Sequence, residues 1–229
     1  KKKNGESIKV DLPYDAMLHE KRTPDAPGLN SLAYFPGGEY LYTKHFPVPA
    51  AWKEKSIYLH FEGVYHHTNV YVNSRLLSHW DNGYRDVRID VSDALLFDQE
   101  NTLQVEVDNS DQPNSRWYSG SGIYRPVYFE ILPKDHLEPN GVHIETLSYQ
   151  EKKIRITLKS NGKMPTHLEI RQGKETLFCK DFDLNNSGSI ECSLPNATLW
   201  SPAHPTLYDC HVRYGEDERN VRFGIRTIE

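Results

Sequence analysis

The sequence has few cysteines and no long apolar segment. Its 229 residues contain three cysteines, Cys179, Cys192 and Cys210. An odd, sparse set is not a disulfide framework, and the spacing is far from the short C-x-x-C of a zinc site. We therefore predict small buried thiols in a reducing compartment, while one bridged pair stays open for an exported protein. No stretch of about 20 apolar residues is present, so no membrane-spanning helix is expected.

An excess of positive charge is also absent. The chain carries 27 basic and 32 acidic residues, a formal net charge of −5. This balance predicts no nucleic acid partner, because nucleic-acid binding depends on cationic contacts with phosphates. Aromatic residues make up 11% of the chain, which argues against disorder. The basic start Lys1-Lys2-Lys3 is followed by no apolar core and is not expected to be a signal peptide.

Long amphipathic helical patterns are missing, and strand patterns take their place. Polar and apolar residues alternate, as is typical of half-buried strands, over residues 56–61, 102–107, 154–158, 190–194 and 208–214. Turn signals such as Asn161-Gly162 and Asn186-Ser187-Gly188 lie between these segments. Residues 92–96 are expected to form a single helical turn. The pattern predicts an all-β chain of sandwiches or barrels.

A domain boundary is predicted near Leu132-Pro133-Lys134-Asp135-His136. This segment follows the apolar run 127–132, and a fresh set of strands begins at Val142. We predict one β-domain over residues 1–133 and a second over residues 134–229. The second domain, about 95 residues long, suits a seven-stranded immunoglobulin-like sandwich of the kind without a disulfide.

No catalytic or metal-binding motif is recognisable. His66 and His67 are neighbours on a predicted strand, where successive side chains point to opposite faces, and no ligand spacing such as H-E-x-x-H occurs. Residues 119–122, Ser-Gly-Ser-Gly, match neither the nucleophile elbow nor a phosphate loop. We therefore assign no catalytic residue, no metal ligand and no cofactor from the residues themselves.

The most informative segment is 113–127, with the sequence P-N-S-R-W-Y-S-G-S-G-I-Y-R-P-V. Guanidinium groups offer forked donors to hydroxyls, and aromatic rings cover the apolar face of a pyranose, so this composition favours sugar recognition. For Ile123, Tyr124 and Arg125 we favour a structural role, in which the rings close the sandwich and the arginine pairs with a carboxylate. Arg116 and Trp117 suit a site and a structural role equally.

Motifs in this segment and elsewhere resemble those of glycoside hydrolase family 2, the family of β-galactosidases, β-glucuronidases and β-mannosidases. Residues 114–125 are similar to its S-R-W-Y-x-G-x-G-I-Y-R signature. The other matching segments are Leu12-Pro13-Tyr14-Asp15 and residues 35–44, 61–64, 70–73, 83–92, 199–208 and 222–229. Ser74 stands where the family usually has glycine. The order and spacing of these motifs agree with the family over nearly the whole chain. The sequence of residues 113–125 is most similar to that of the β-galactosidase branch.

The resemblance implies a jelly-roll (galactose-binding-like) β-sandwich followed by an immunoglobulin-like β-sandwich. In the family a (β/α)8 barrel follows and holds both glutamates of a retaining mechanism. A barrel needs about 250 residues, and none follow Glu229. We therefore expect a non-catalytic N-terminal fragment, inactive alone, with a carbohydrate substrate and the barrel of the parent chain as partners. The first jelly-roll strand is expected to be cut or absent.

The resemblance also implies a set of substrate-binding residues. Loops of the first domain reach the rim of the active site in the family, and Phe35, Arg116 and Trp117 occupy the corresponding positions. Phe35 and Trp117 would supply apolar walls, and Arg116 hydroxyl donors or a structural clamp. Terminal β-D-galactosides are the favoured substrates, with β-glucuronides and β-mannosides as alternatives. A stand-alone carbohydrate-binding module and a structural or homo-oligomerising module also stay open.

Overall fold

The computed structural model describes residues 7–227, so Lys1-Lys2-Lys3 and the last two residues of the motif 222–229 lie outside the described residues. The described residues form strands, turns and four short 3-10 segments, which confirms the all-β prediction. None of their helices is long and apolar enough to cross a membrane. The chain divides between Ile131 and Leu132 into two compact units, which we call unit 1 and unit 2. The domain limits at residues 133 and 134 stay a prediction.

The described part of unit 1, from residue 7 onwards, forms two sheets. Its strands are β1 (Gly38–Pro47), β2 (Lys55–Phe61), β3 (His67–Val72), β4 (Arg75–Trp80), β5 (Val87–Asp90), β6 (Glu100–Asn109) and β7 (Val127–Pro133), which crosses the unit boundary. The sheet orders are β1-β6-β3-β4 and β5-β2-β7. The 3-10 segments are Ala16–His19, Leu29–Leu32, Ala50–Trp52 and Ser92–Ala94, the last of which is the predicted single helical turn.

One apolar core holds the two sheets of unit 1 together. The alternation predicted for residues 56–61 is confirmed, because Ile57, Leu59 and Phe61 of β2 are all buried. They share a core cluster with Val105 and Val107 of β6, which belongs to the other sheet. Full burial of an aliphatic or aromatic side chain contributes about 1.5–3 kcal/mol, so this shared core is what makes unit 1 a sandwich.

The described residues of unit 2 form five strands of their own, whereas the sequence predicted seven. They are β8 (Leu137–Ser148), β9 (Lys153–Gln172), β10 (Glu175–Ser193), β11 (Tyr208–Tyr214) and β12 (Asp217–Phe223). The turns predicted at Asn161-Gly162 and Asn186-Ser187-Gly188 lie inside β9 and β10. The ladder between these two strands continues past a register shift near Asn186, so the glycines mark an irregularity within the pair.

Strand β9 is 20 residues long, and its two halves pair with different strands. The first half of β9 pairs with β8, and its second half pairs with β11. Neighbouring strands in the sheet follow the order β10-β9-β11-β12, and β8 pairs with β9 off this path. The core includes Ile154, Leu168 and Tyr208, all fully buried. The predicted strands of this region are therefore confirmed, whereas their predicted ends are wrong at both internal turns.

Two of the three cysteines are buried as predicted. Cys192 and Cys210 lie in the core of unit 2, where burial raises the pKa of their thiols to about 11 and about 12. Cys179 is exposed on β10, so the prediction of a buried thiol is wrong for this residue. Its position on the outward face of a strand at the end of the sheet order explains the difference.

Glu169 on β9 is the carboxylate of unit 2 for which we expect a clear pH effect. Hydrogen bonds from Arg171 and Thr176 hold its pKa at about 2, below the ordinary value of 4.5. A lowered pKa contributes stability that is present above pH 4.5 and is lost as the pH falls towards 2. Denaturant unfolding should therefore show Glu169→Gln less stable than the native chain near neutral pH, and the gap should close at about pH 2. Glu175→Gln is the control, because Glu175 is exposed. If Glu175→Gln lowered the free energy of unfolding as much as Glu169→Gln does, and equally at every pH, the pH effect could not be assigned to Glu169.

Candidate functional site

The segments that carry the predicted site residues meet around the loop 110–126, between β6 and β7. The backbone of the N-terminal segment pairs with this loop, through Tyr14 N to Ile123 O (2.7 Å) and Ala16 N to Ser121 O (2.8 Å). On its other side, Tyr65 and Gly122 exchange two backbone hydrogen bonds of 3.0 and 2.6 Å. Loop 110–126 is therefore held between two other segments of unit 1.

Asp15 clamps the end of this loop. Its Oδ1 accepts hydrogen bonds from Met17 N (3.1 Å) and Ser121 N (3.0 Å), and its Oδ2 accepts one from the Tyr118 hydroxyl (2.7 Å). Burial and the neighbouring carboxylate raise the pKa of Tyr118 well above its ordinary value, so the hydroxyl stays protonated and donates. Gly120 has a φ of +74°, and a Cβ there would lie 2.8 Å from Asp15 Oδ2. The close approach of the carboxylate therefore requires glycine.

The side-chain amide of Asn109 anchors loop 110–126 by hydrogen bonds. The side chain is fully buried at the end of β6, and its Nδ2 donates to Gly120 O (3.0 Å) and Ser121 Oγ (2.6 Å). Its Oδ1 accepts from Gln112 Nε2 (2.7 Å) and Asn114 Nδ2 (2.7 Å). One buried amide thus fixes both ends of the stretch that contains Arg116 and Trp117.

Phe35 is half-buried beside the same loop. Its ring meets the ring of Tyr118 edge-on, with centroids 5.7 Å apart and planes at 62°. The guanidinium of Arg22 lies 5.6 Å from the Phe35 centroid, and Arg22 Nε donates to Ala33 O (2.7 Å). The structure therefore brings Phe35 next to Tyr118, the residue that follows Trp117.

Arg116 and Trp117 face solvent. Trp117 is 60% exposed; its Nε1 donates to the Tyr84 hydroxyl (2.8 Å), and its carbonyl accepts from Ser115 Oγ (2.5 Å). Arg116 is exposed and forms no hydrogen bond or ion pair with the residues that the structure describes. An exposed indole beside an unpaired guanidinium on an anchored loop can bind a sugar ring, its hydroxyls or a carboxylate.

Comparison with known proteins identifies the chain. The family model described as "Glycosyl hydrolase 2 galactose-binding domain-like" matches residues 12–128, and "Glycosyl hydrolases family 2" matches residues 140–226. The chain belongs to glycoside hydrolase family 2. This confirms the resemblance and, with the strands above, the prediction of a jelly-roll sandwich followed by an immunoglobulin-like sandwich.

Relatives of this family 2 chain are much longer than it is. It is 36% identical to Beta-galactosidase BoGH2A of Bacteroides ovatus, over 96% of this chain and 28% of the relative. It is similar to the crystal structure of a family 2 member from Bacteroides cellulosilyticus, with a TM-score of 0.83, 27% identity and coverage of 100% of this chain and 33% of the other. A beta-glucuronidase of Bacteroides uniformis shares the fold, with a TM-score of 0.76, 24% identity, and coverage of 96% and 29%.

Two sequence expectations for this family 2 chain are wrong in detail. Arg125 lies 5.8 Å from the Tyr124 ring and pairs with no carboxylate among residues 7–227, whereas Ile123 is buried as predicted. The rings of His66 and His67 lie 4.0 Å apart and do not point to opposite faces. The reason is that β3 begins at His67, so the alternation of a strand does not apply to His66.

Sequence reasoning missed the three residues that hold the family 2 loops in place. Asp15 lies in a recognised motif, but the motif does not say which loop it clamps. Asn109 carried a signal, since it continues the inward-facing positions Leu103, Val105 and Val107 of β6 with a polar side chain. A polar residue at an inward position predicts a buried hydrogen-bond network. Tyr84 also lies in a recognised motif, residues 83–92, but that motif does not name its partner Trp117, which is 33 residues away.

Proposed function

We propose that these 229 residues are the N-terminal, non-catalytic part of a retaining family 2 β-galactosidase, and that Phe35, Arg116 and Trp117 lie on the rim of its active site. The observation that carries the proposal is the unpaired guanidinium of Arg116 beside the exposed indole of Trp117, on a loop anchored by Asp15 and Asn109. Anchoring keeps a binding group in place, so less ordering is needed when substrate binds.

Each of the three side chains has a distinct part in the proposed site. Arg116 offers planar, charged donors that reach two oxygens at once. Trp117 offers a ring face to the C–H groups of a pyranose. Phe35, packed against Tyr118, forms an apolar wall. The two carboxylates that cleave the glycoside would belong to a barrel outside these residues, so this chain binds and orients substrate without forming or breaking a bond.

A galactoside substrate is supported by BoGH2A, the β-galactosidase to which the chain is 36% identical over 96% of its length. The chain spans only 28% of that relative, so the activity of the relative comes to this chain only as part of the proposal. The sequence of residues 113–125, which is most similar to the β-galactosidase branch, gives the galactoside further support.

A β-glucuronide is the second candidate, and Arg116 is the observation that favours it. A guanidinium without an ionic partner among residues 7–227 suits the C6 carboxylate that distinguishes a glucuronide from a galactoside. The two substrates can be separated by assaying the longer protein, read from the uninterrupted reading frame, on aryl β-galactoside, β-glucuronide and β-mannoside. Turnover confined to the glucuronide would overturn the galactoside proposal, and no turnover by the longer protein would overturn the enzyme itself.

Arg116→Ala in the longer protein is expected to lower kcat/KM about 10- to 100-fold on the substrate that is turned over. One charge-assisted hydrogen bond is worth about 1.5–3 kcal/mol, and each 1.4 kcal/mol is a factor of about ten. Unfolding free energy should not change, because Arg116 is exposed and forms no hydrogen bond or ion pair with a described residue. The measurement is steady-state kinetics together with denaturant unfolding of both proteins.

The matched control is Arg75→Ala, which removes another exposed arginine of unit 1, on strand β4. It should leave kcat/KM unchanged. Equal kinetics for native protein and Arg116→Ala would remove Arg116 from the site. Saturable binding of free sugar by the 229-residue chain alone, with affinity independent of Arg116, would favour a stand-alone binding module.

A further inference from the structure

Tyr84 occupies an unusual position for an exposed tyrosine. It lies in the turn between β4 and β5 and is 58% exposed, yet its hydroxyl accepts the indole N–H of Trp117 at 2.8 Å. The two residues come from different loops, and both large rings face solvent. Two exposed side chains lose conformational entropy when they form a hydrogen bond. Such a bond therefore keeps a fixed geometry only where the backbone of both residues is already fixed.

Contacts with three other residues fix the backbone at Gly83 and Tyr84. Tyr84 N donates to Asn82 Oδ1 (2.9 Å), and the carbonyl of Gly83 accepts from the Tyr124 hydroxyl (2.7 Å). Gly83 itself lies flat against the ring of Tyr65, since a Cβ there would be 1.9 Å from Tyr65 Cδ2. The Tyr84 ring meets the Tyr65 ring edge-on at 5.4 Å and 65°. The hydroxyl of Tyr84 is therefore brought to a defined point.

The loop that carries Trp117 is hydrogen-bonded to the same buried tyrosine, Tyr65. Tyr65 is 4% exposed, and its hydroxyl donates to Asn114 Oδ1 (3.2 Å). Asn114 Nδ2 donates in turn to Oδ1 of the buried Asn109 (2.7 Å). Both ends of the Tyr84–Trp117 hydrogen bond thus rest, through Tyr65 and Asn114, on one network, so the indole is oriented relative to the loop that also carries Arg116.

We infer that Tyr84 is a positioning residue, which fixes the indole of Trp117 so that a ring face is offered to a flat sugar ring beside Arg116. With its N–H occupied by Tyr84, the indole takes part through its faces and not through a hydrogen bond to a hydroxyl. This inference rests on the proposed function, since it requires Trp117 to touch substrate. It adds Tyr84 to the proposed site and limits the contact between the indole and the pyranose to stacking.

The first test follows the indole itself in the 229-residue chain. The emission of Trp117 is obtained as the difference between the native chain and Trp117→Phe, and acrylamide quenching of that emission is measured with and without Tyr84→Phe. Releasing the indole should raise its quenching constant by roughly 1.5- to 2-fold, because a free exposed side chain samples several rotamers. An unchanged quenching constant would overturn the positioning role whatever the enzyme does.

The second test measures kinetics in the longer protein with a β-linked disaccharide substrate. Tyr84→Phe should raise KM and lower kcat/KM by roughly 3- to 10-fold, with little change in kcat. In a Trp117→Ala background the same change should have no further effect, because the tyrosine acts through the indole. Tyr71→Phe is the control, since it removes an exposed hydroxyl that donates to Glu106 (3.2 Å) and should be silent.

The outcomes separate the two proposals. If Trp117→Ala leaves kcat/KM unchanged, Trp117 is not in the site, and the proposed function and this inference both fail in that respect. If Trp117→Ala is damaging but Tyr84→Phe is silent, the positioning role alone fails. If the two substitutions lower kcat/KM additively, Tyr84 contacts substrate independently of Trp117 and is not a positioning residue.

Discussion

Replacing Asn109 by alanine is expected to lower the stability of unit 1 by about 3–5 kcal/mol. The fully buried amide makes four hydrogen bonds, to Gly120 O, Ser121 Oγ, Gln112 Nε2 and Asn114 Nδ2. A net hydrogen bond is worth about 1 kcal/mol, and a buried partner left unsatisfied costs about 1–3 kcal/mol more. Alanine removes all four at once and leaves the Gly120 carbonyl without this donor.

Urea unfolding followed by tryptophan emission measures this loss. Three of the four tryptophans, Trp52, Trp80 and Trp117, lie in unit 1, so the signal reports mainly that unit. Gln112→Ala is the matched comparison, because it removes a half-buried amide that donates to Asn109 Oδ1 (2.7 Å) and to the Asn109 backbone carbonyl (3.1 Å). It should cost about 1 kcal/mol. Equal losses for the two variants would show that Asn109 does not hold the loop.

Gly37→Ala is expected to cost about 2–4 kcal/mol and to displace the segment that carries Phe35. Gly37 has a φ of +69°, and a Cβ there would lie 2.4 Å from the backbone carbonyl oxygen of Asn109. Alanine is disfavoured in this conformation by about 1 kcal/mol, and a backbone atom cannot turn away as a flexible side chain can. In the longer protein kcat/KM should fall as well, because Phe35 lies two residues before the altered position.

Gly173→Ala separates the two contributions to that loss. Gly173 has a similar φ of +59°, but nothing lies within 4 Å of its added Cβ. Its substitution therefore reports the conformational cost alone, about 1 kcal/mol, measured by denaturant unfolding of the chain followed by far-ultraviolet circular dichroism. A loss for Gly37→Ala no larger than that for Gly173→Ala would mean that β1 and β6 adjust freely at this contact.

Several parts of the fold could be predicted from local sequence because they depend on short-range periodicity. Alternation placed β2 and β6 correctly, since half-buried strands repeat every two residues whatever they pair with. The turns predicted at Asn161-Gly162 and Asn186-Ser187-Gly188 were wrong, because the glycines there accommodate an irregularity in a continuing ladder. Whether such a residue ends a strand or bends it depends on the neighbouring strand, which a local pattern does not contain.

The residues of the candidate site also divide into those that the sequence predicts and those that only the folded structure reveals. Phe35, Arg116 and Trp117 came from motif resemblance, and their place on the active-site rim stays a proposal. Asp15 is 106 residues from its partner Ser121, and Tyr84 is 33 residues from Trp117, so no spacing rule could connect them. The partners of Asn109 are only 3 to 12 residues away, but its polar side chain at an inward position indicates that partners exist and not which ones they are. Hydrogen bonds between distant loops are made by folding, and their partners are known only once the strands that carry those loops are in place.

By itself, the sequence determined the class of the chain: all-β, with two successive sets of strands and the motifs of glycoside hydrolase family 2. Composition, period-two alternation and motif order are local properties, and they survive without knowledge of contacts. Only the tertiary structure decided how loop 110–126 is held. It showed that one carboxylate and one buried amide anchor that loop while Arg116 is left unpaired among the described residues. The physical reason is that buried polar groups must find partners, and only the folded chain supplies them.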